Sequence, residues 1–310
     1  MKKIKTFTAV IVLITIFIFS TFSCFADDKK NGKKNGKKIV VGSKDFTEQQ
    51  ILGKIMTALL EKNGFEPVDK IRLGGTLSVR KALMNGQIDI YMEYTGTALM
   101  AFFKHEVITD PQLCYDTVKK IDFEKNALVW MSPLNFNNTY CLMMQREKSE
   151  KKGIKTLSDL SEYVKKHKSE VKFGTNEEFY ARADGYRPLQ KTYGFKFIRK
   201  NIVKTTPALL YKVLKKNHVD VALGFATDAR IKEFDLVALE DDKHFFPVYN
   251  PAPVVRNETL LKFPELENIF KKLAEKVNAE EMIKMNHEVD GKGKPVDEVA
   301  DAWLIKAGLL

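Results

Sequence analysis

The chain is 310 residues long and carries 51 Lys and Arg against 40 Asp and Glu, a formal net charge of +11. Nine of the basic and two of the acidic residues lie among the first 38, which leaves 42 against 38 in the rest, too small an excess to point to a polyanionic partner such as nucleic acid. After one apolar run near the N-terminus, no second stretch of roughly 18 apolar residues follows, which excludes a membrane-spanning body.

Lys2, Lys3 and Lys5 precede an apolar run over residues 7–19, followed by small and polar residues up to Ala26. This is the pattern of a secretory signal peptide over residues 1–26. Two forms of processing are open. Cys24-Phe25-Ala26 puts small residues at both recognition positions for cleavage, and Thr21-Phe22-Ser23-Cys24 is a loose match to the box that precedes a lipid-bearing cysteine. Residues 27–38 contain no apolar side chain and cannot offset the entropy of ordering, so they read as a flexible Lys-rich tether.

The body from Ile39 onward, about 270 residues, is too long for a single core. Strand-like runs alternate there with amphipathic helical ones, which indicates α/β architecture. Ile39-Val40-Val41-Gly42 reads as a buried strand, and Ile51, Leu52, Ile55, Met56 and Leu59 recur at helical spacing before Gly64 supplies a stop. A strand near residues 69–73, a helix over 77–84 and a strand over 88–91 complete a βαβαβ unit. A second series begins near Tyr140 and takes in a strand at 171–174, a helix after Asp184, a strand near 197–203, a helix over 207–216 and a strand over 219–224. Beyond Tyr249 the pattern is helical, over residues 260–279, 279–286 and 296–307, with no further strand series.

Cys114 lies in a helical pattern and Cys141 in the apolar run Tyr140-Cys141-Leu142-Met143-Met144, so both read as structural. Pairing between them is left open. The five histidines, His105, His167, His218, His244 and His287, have no metal-ligand spacing, and there is no Gly-x-Ser-x-Gly elbow or phosphate-binding loop. No catalytic set, metal or cofactor is expected.

Six motifs then occur in order: residues 42–49 (GSKDFTEQ), 93–97 (EYTGT), 137–140 (NNTY), 178–186 (EFYARADGY), 227–230 (TDAR) and 246–256 (FPVYNPAPVVR). Together they resemble the type II periplasmic-binding-protein fold, in the branch that serves ABC importers of quaternary-ammonium solutes such as glycine betaine, carnitine and choline. The resemblance covers nearly all of residues 39–310. It implies a bilobed α/β fold of two βαβ lobes with a hinge and a ligand cleft: residues 39–135 and 244–310 in lobe 1, residues 136–243 in lobe 2. It also implies an exported protein, periplasmic or anchored by a lipid to the outer face of the cytoplasmic membrane, that hands its solute to separate permease and ATPase subunits.

A trimethylammonium group offers no hydrogen-bond donor but is attracted by the face of an aromatic ring. The resemblance places such rings at Tyr94, Tyr140, Phe225 and Tyr249, with Phe225 standing where tyrosine is frequent in the family. Each ring also has a plain reading as core packing. Arg182 offers a planar fork for a ligand carboxylate or, alternatively, an ion pair with Asp184. Thr97 and the backbone around Asn138 are further donors, and Lys44 and Gln49 face either the cleft or the interior. Gly74-Gly75-Thr76 is an anion nest or a simple turn. An amino-acid binder on the same fold would need an acid for a primary ammonium, for which Asp228 is the candidate, and a dehydratase-type enzyme on this scaffold is a more distant alternative.

Overall fold

A computed structural model describes residues 36–310. The signal peptide expected over residues 1–26, the processing expected near Cys24 and most of the expected tether lie outside the described residues. The last two tether positions, Lys37 and Lys38, already belong to the first strand, where they pair with Phe65 and Glu66. Their solvent-facing positions at a strand's start explain why composition alone reads them as tether.

Ten strands are described: β1 Lys37–Lys44, β2 Phe65–Gly74, β3 Ile90–Tyr94, β4 Leu128–Trp130, β5 Tyr140–Gln145, β6 Phe173–Thr175, β7 Ile202–Lys204, β8 Val221–Phe225, β9 Leu236–Ala238 and β10 Pro251–Arg256. They form two five-stranded mixed sheets, β2-β1-β3-β10-β4 and β7-β6-β8-β5-β9. The two have the same plan. In each, three strands run parallel, one antiparallel strand lies beside the third, and a short strand closes the far edge. The chain leaves the first sheet between β4 and β5 and returns between β9 and β10.

Parallel strands need covering on both faces, which is why helices follow them. Helix Thr47–Lys62 buries Ile51, Leu52, Ile55, Met56 and Leu59 against one face of the first sheet, and Gly64 at φ +79° turns the chain back. Helices Leu266–Ala274, Ala279–Asp290 and Val296–Lys306 extend the same core, through Phe270, Met282 and Trp303. The opposite face is closed by helices Thr76–Met84 and Pro111–Asn126, where the Arg80 guanidinium is held by Asp122, which also accepts from the Trp130 indole at 2.8 Å. A separate core lies around the second sheet.

Several elements differ from the sequence expectation, among them the strand expected near residues 197–203, which is only Ile202–Lys204. The helix expected over residues 260–279 is broken into Asn257–Lys262 and Leu266–Ala274. Pro264 explains the break, since it cannot donate within a helix and disfavours helical geometry in the residue before it. The segment after Tyr249, expected to bring no strand, supplies β10, which is buried and central in its sheet. Cys114 and Cys141 are free, buried thiols, one in helix Pro111–Asn126 and the other in β5.

Candidate functional site

In an open α/β sheet the crevice outside the carboxyl ends of the parallel strands is where side chains converge without being needed for packing. Here both sheets present aromatic residues at that edge. Tyr94 is the last residue of β3 and Phe225 the last of β8. Tyr140 opens β5, directly opposite Phe225, and Tyr249 precedes β10, whose Pro251 is opposite Tyr94. The four rings therefore occupy matching places in two sheets of the same plan. They line one cavity of about 530 Å³, together with Lys44, Phe46, Thr97, Asn138 and Glu178.

The Tyr140 ring lies 5.1 Å from Phe225 and 5.4 Å from Tyr249, the latter edge-on at 86°. Phe46 stacks on Phe225 at 5.6 Å and 5°, and faces Tyr94 at 6.2 Å. Phe46 was not singled out by sequence reasoning, although a signal was there: it is the one apolar residue in the polar run from Ser43 to Gln50. Burial pushes the hydroxyl pKa values of Tyr94, Tyr140 and Tyr249 upward, so all three present neutral rings.

Lys44, at the end of β1, reaches the Glu93 carboxylate at 2.6 Å and lies 5.2 Å from the centre of the Tyr94 ring. Lys204 at the cavity rim is paired with Glu177 at 3.0 Å. Thr97 is buried in the turn after β3 and lines the cavity. Asn138 lines it too, while its backbone N–H donates to the Tyr249 carbonyl at 3.1 Å and its Nδ2 donates to Glu48 at 2.7 Å. Glu178, also unforeseen, sits across from the start of helix Thr76–Met84, 3.5 Å from the Thr76 N–H. Burial would raise its pKa, but Lys44, Thr76 and Arg182 outweigh that and hold it below the ordinary value.

Two expected ligand groups are placed elsewhere. Arg182 does not line the cavity: its fork is taken by Asp184, with Nε donating at 2.9 Å, and Nη1 reaches Glu178 at 3.4 Å. With Nε and Nη2 on Asp184 and Nη1 on Glu178, every nitrogen of the guanidinium already faces an acid, so the ion pair is the arrangement the structure adopts. Gln49 is fully buried, accepting from the Lys44 backbone N–H at 3.3 Å, and does not reach the cavity. Asp228 is likewise engaged, by Arg230 Nε at 2.8 Å, which removes it as a free acceptor for a primary ammonium.

The family described as "Substrate binding domain of ABC-type glycine betaine transport system" matches residues 37–306. The chain is 37% identical over 284 residues to a glycine-betaine-binding protein of Pseudomonas aeruginosa, covering 90% of this chain and 91% of that one. It is also 37% identical over 274 residues to an ergothioneine transport permease/ergothioneine binding protein of Helicobacter pylori, where the match takes 88% of this chain but 48% of the relative. Among solved structures, a glycine betaine/carnitine/choline ABC transporter protein shares 33% identity over 87% of this chain and 99% of that one, with a TM-score of 0.71.

Proposed function

Because the chain belongs to the family of substrate-binding domains of ABC-type glycine betaine transport systems, we propose that its cavity holds a quaternary-ammonium solute in a cage formed by Tyr94, Tyr140, Phe225 and Tyr249. The protein is a transport component rather than an enzyme, works outside the cytoplasm, binds a small quaternary-ammonium solute and docks on permease and ATPase subunits. One observation carries the cage: four rings from matching strand ends meet at one cavity, and both lysines on its wall are already paired with acids. Such a wall favours a bulky cation over an anion. Each ring contributes about 0.5 to 2 kcal/mol, the more so the drier the contact. With Lys44 over one side of Tyr94, the solute would use the other. Thr97 remains as a donor to a carboxylate or hydroxyl tail, whereas Asn138, whose N–H and Nδ2 are taken by Tyr249 and Glu48, and Arg182 are not among the proposed donors.

In this reading residues 39–135 and 244–310 move as one lobe and residues 136–243 as the other, and a solute that touches both favours closure. The closed form docks on the permease. Membrane attachment through a lipid on Cys24 is tested by labelling wild type and Cys24→Ser with a radioactive fatty acid. The cage is tested by calorimetric titration with glycine betaine, carnitine, choline and ergothioneine alongside arginine and glutamine. Heat of binding from one or more of the first four and none from the last two is the expected result. Binding of arginine or glutamine alone would remove the cage reading.

A further inference from the structure

We infer that Glu48 is a positioning residue of the solute site, a buried anion that aligns the two halves of the cage and makes the Tyr94 ring a stronger partner for a cation. The inference rests on the reading of the cavity as a quaternary-ammonium site. Glu48 is the second residue of helix Thr47–Lys62, where the positive end of the helix favours a carboxylate, and it is 3% exposed. Its Oε1 accepts from the Tyr94 hydroxyl at 2.8 Å and from Asn138 Nδ2 at 2.7 Å. Its Oε2 accepts from the Thr227 hydroxyl at 2.6 Å and from Asn286 Nδ2 at 3.1 Å.

These four donors come from four separate parts of the chain: the end of β3, the passage into the second sheet, the turn two residues after Phe225, and helix Ala279–Asp290. A carboxylate has about four lone-pair directions, and all are used. One oxygen therefore serves groups beside Tyr94 and Tyr249, the other a group beside Phe225. Thr227 and Asn286 are further joined to each other, the Asn286 amide donating to the Thr227 carbonyl at 3.2 Å.

All four partners are neutral, and among the described residues no Lys, Arg or His forms a salt bridge with Glu48. An ionised carboxylate without a cation partner is costly to bury, and such a group at a cleft marks a functional role. A solute cation on the face of Tyr94 supplies the missing opposite charge. The hydrogen bond from Tyr94 to the carboxylate also shifts electron density into the ring, which strengthens its attraction for that cation.

The test compares choline with its uncharged carbon isostere, 3,3-dimethylbutan-1-ol, on wild type and Glu48→Gln. The amide keeps the size and planarity of the side chain and removes the charge. Choline affinity should fall about tenfold or more in Glu48→Gln, with little change for the isostere, because the lost term acts on charge. A purely structural role would weaken both alike, and that result, or no change in either, overturns the inference. Tyr94→Phe provides a second route if Glu48→Gln does not fold: it cuts the ring from Glu48 and leaves the other three bonds in place. An unchanged choline-to-isostere ratio in Tyr94→Phe would equally overturn the inference. Failure of wild type to bind any trimethylammonium solute would instead sink the cage reading itself.

Discussion

Tyr94 and Tyr140 stand at equivalent edges of their sheets, yet the Tyr94 hydroxyl is tied to Glu48 whereas the Tyr140 ring is held by packing against Phe179, Phe225 and Tyr249. Replacing Tyr94, Tyr140 or Tyr249 by Ala should weaken solute binding by about 1 to 3 kcal/mol, severalfold to a hundredfold or so, as read by calorimetry. Replacement by Phe should separate them: Tyr94→Phe loses a bond to a buried carboxylate, whereas Tyr140→Phe keeps its ring contacts and should bind nearly as wild type. Glu48 also gives a stability signal. Burial raises its pKa above the ordinary 4.5, and the bonds from Thr227, Tyr94, Asn286 and Asn138 offset only part of that. A carboxyl whose folded value is the higher one retains a proton that the unfolded chain has lost, so stability falls as pH rises from about 4.5 through the folded value. Glu48→Gln lacks this loss. Its Tm relative to wild type should therefore climb as the pH rises above about 4.5 in thermal unfolding, and a flat or falling difference would contradict the assigned direction.

At the scale of elements, the turn after β3 and the segment before β10 must approach closely for Tyr249 to reach the cavity. Gly96 permits this, because a Cβ there would lie 2.5 Å from the Val248 carbonyl and 2.8 Å from the Tyr249 ring. Gly96→Ala should shift that ring, cost about 1 to 3 kcal/mol of stability in denaturant unfolding and lower solute affinity in the same preparation. β10 itself shows why the sequence reading missed it. Pro251 and Pro253 argue against a central strand, since each lacks an N–H. Their carbonyls accept from Leu134 and Met131, on the side away from β3. The missing N–H groups point to that same side, where the three-residue β4 pairs only with Val254, Val255 and Arg256. The ladder to β3 is left whole, from Pro251 opposite Tyr94 to Val255 opposite Ile90.

Across the whole molecule, the segments assigned to opposite lobes meet at several polar contacts. Arg230 reaches Asp290 at 2.8 Å, Thr227 reaches Glu48 and Asn286, and Glu178 approaches the start of helix Thr76–Met84. None of these bonds needs a carboxylate on the solute. With Arg182 held by Asp184, choline and glycine betaine should compact the protein to the same extent in small-angle scattering at saturation. Greater compaction by betaine would show that a donor to the solute carboxylate in the second lobe contributes to closure. Compaction by neither would count against hinged closure.

The sequence by itself determined the local and the collective features: βαβ alternation, the helix of residues 47–62 with its glycine stop, and six motifs whose order identified the family. Those depend on periodicity and on residue type, which are visible along the chain. The resemblance carried by those motifs also pointed to Tyr94, Tyr140, Phe225 and Tyr249 as a set, and the fold brings the four to one cavity. Only the tertiary structure decided which polar groups stay free for a ligand. Arg182 and Asp228 carry suitable chemistry, but each is engaged by a neighbour within the protein, Gln49 is buried away from the cavity, and Phe46 and Glu48 gain their places from contacts made far along the chain. A hydrogen-bonding group has few directions to give, and whether the protein has already used them is settled by its neighbours in space rather than by its neighbours in sequence.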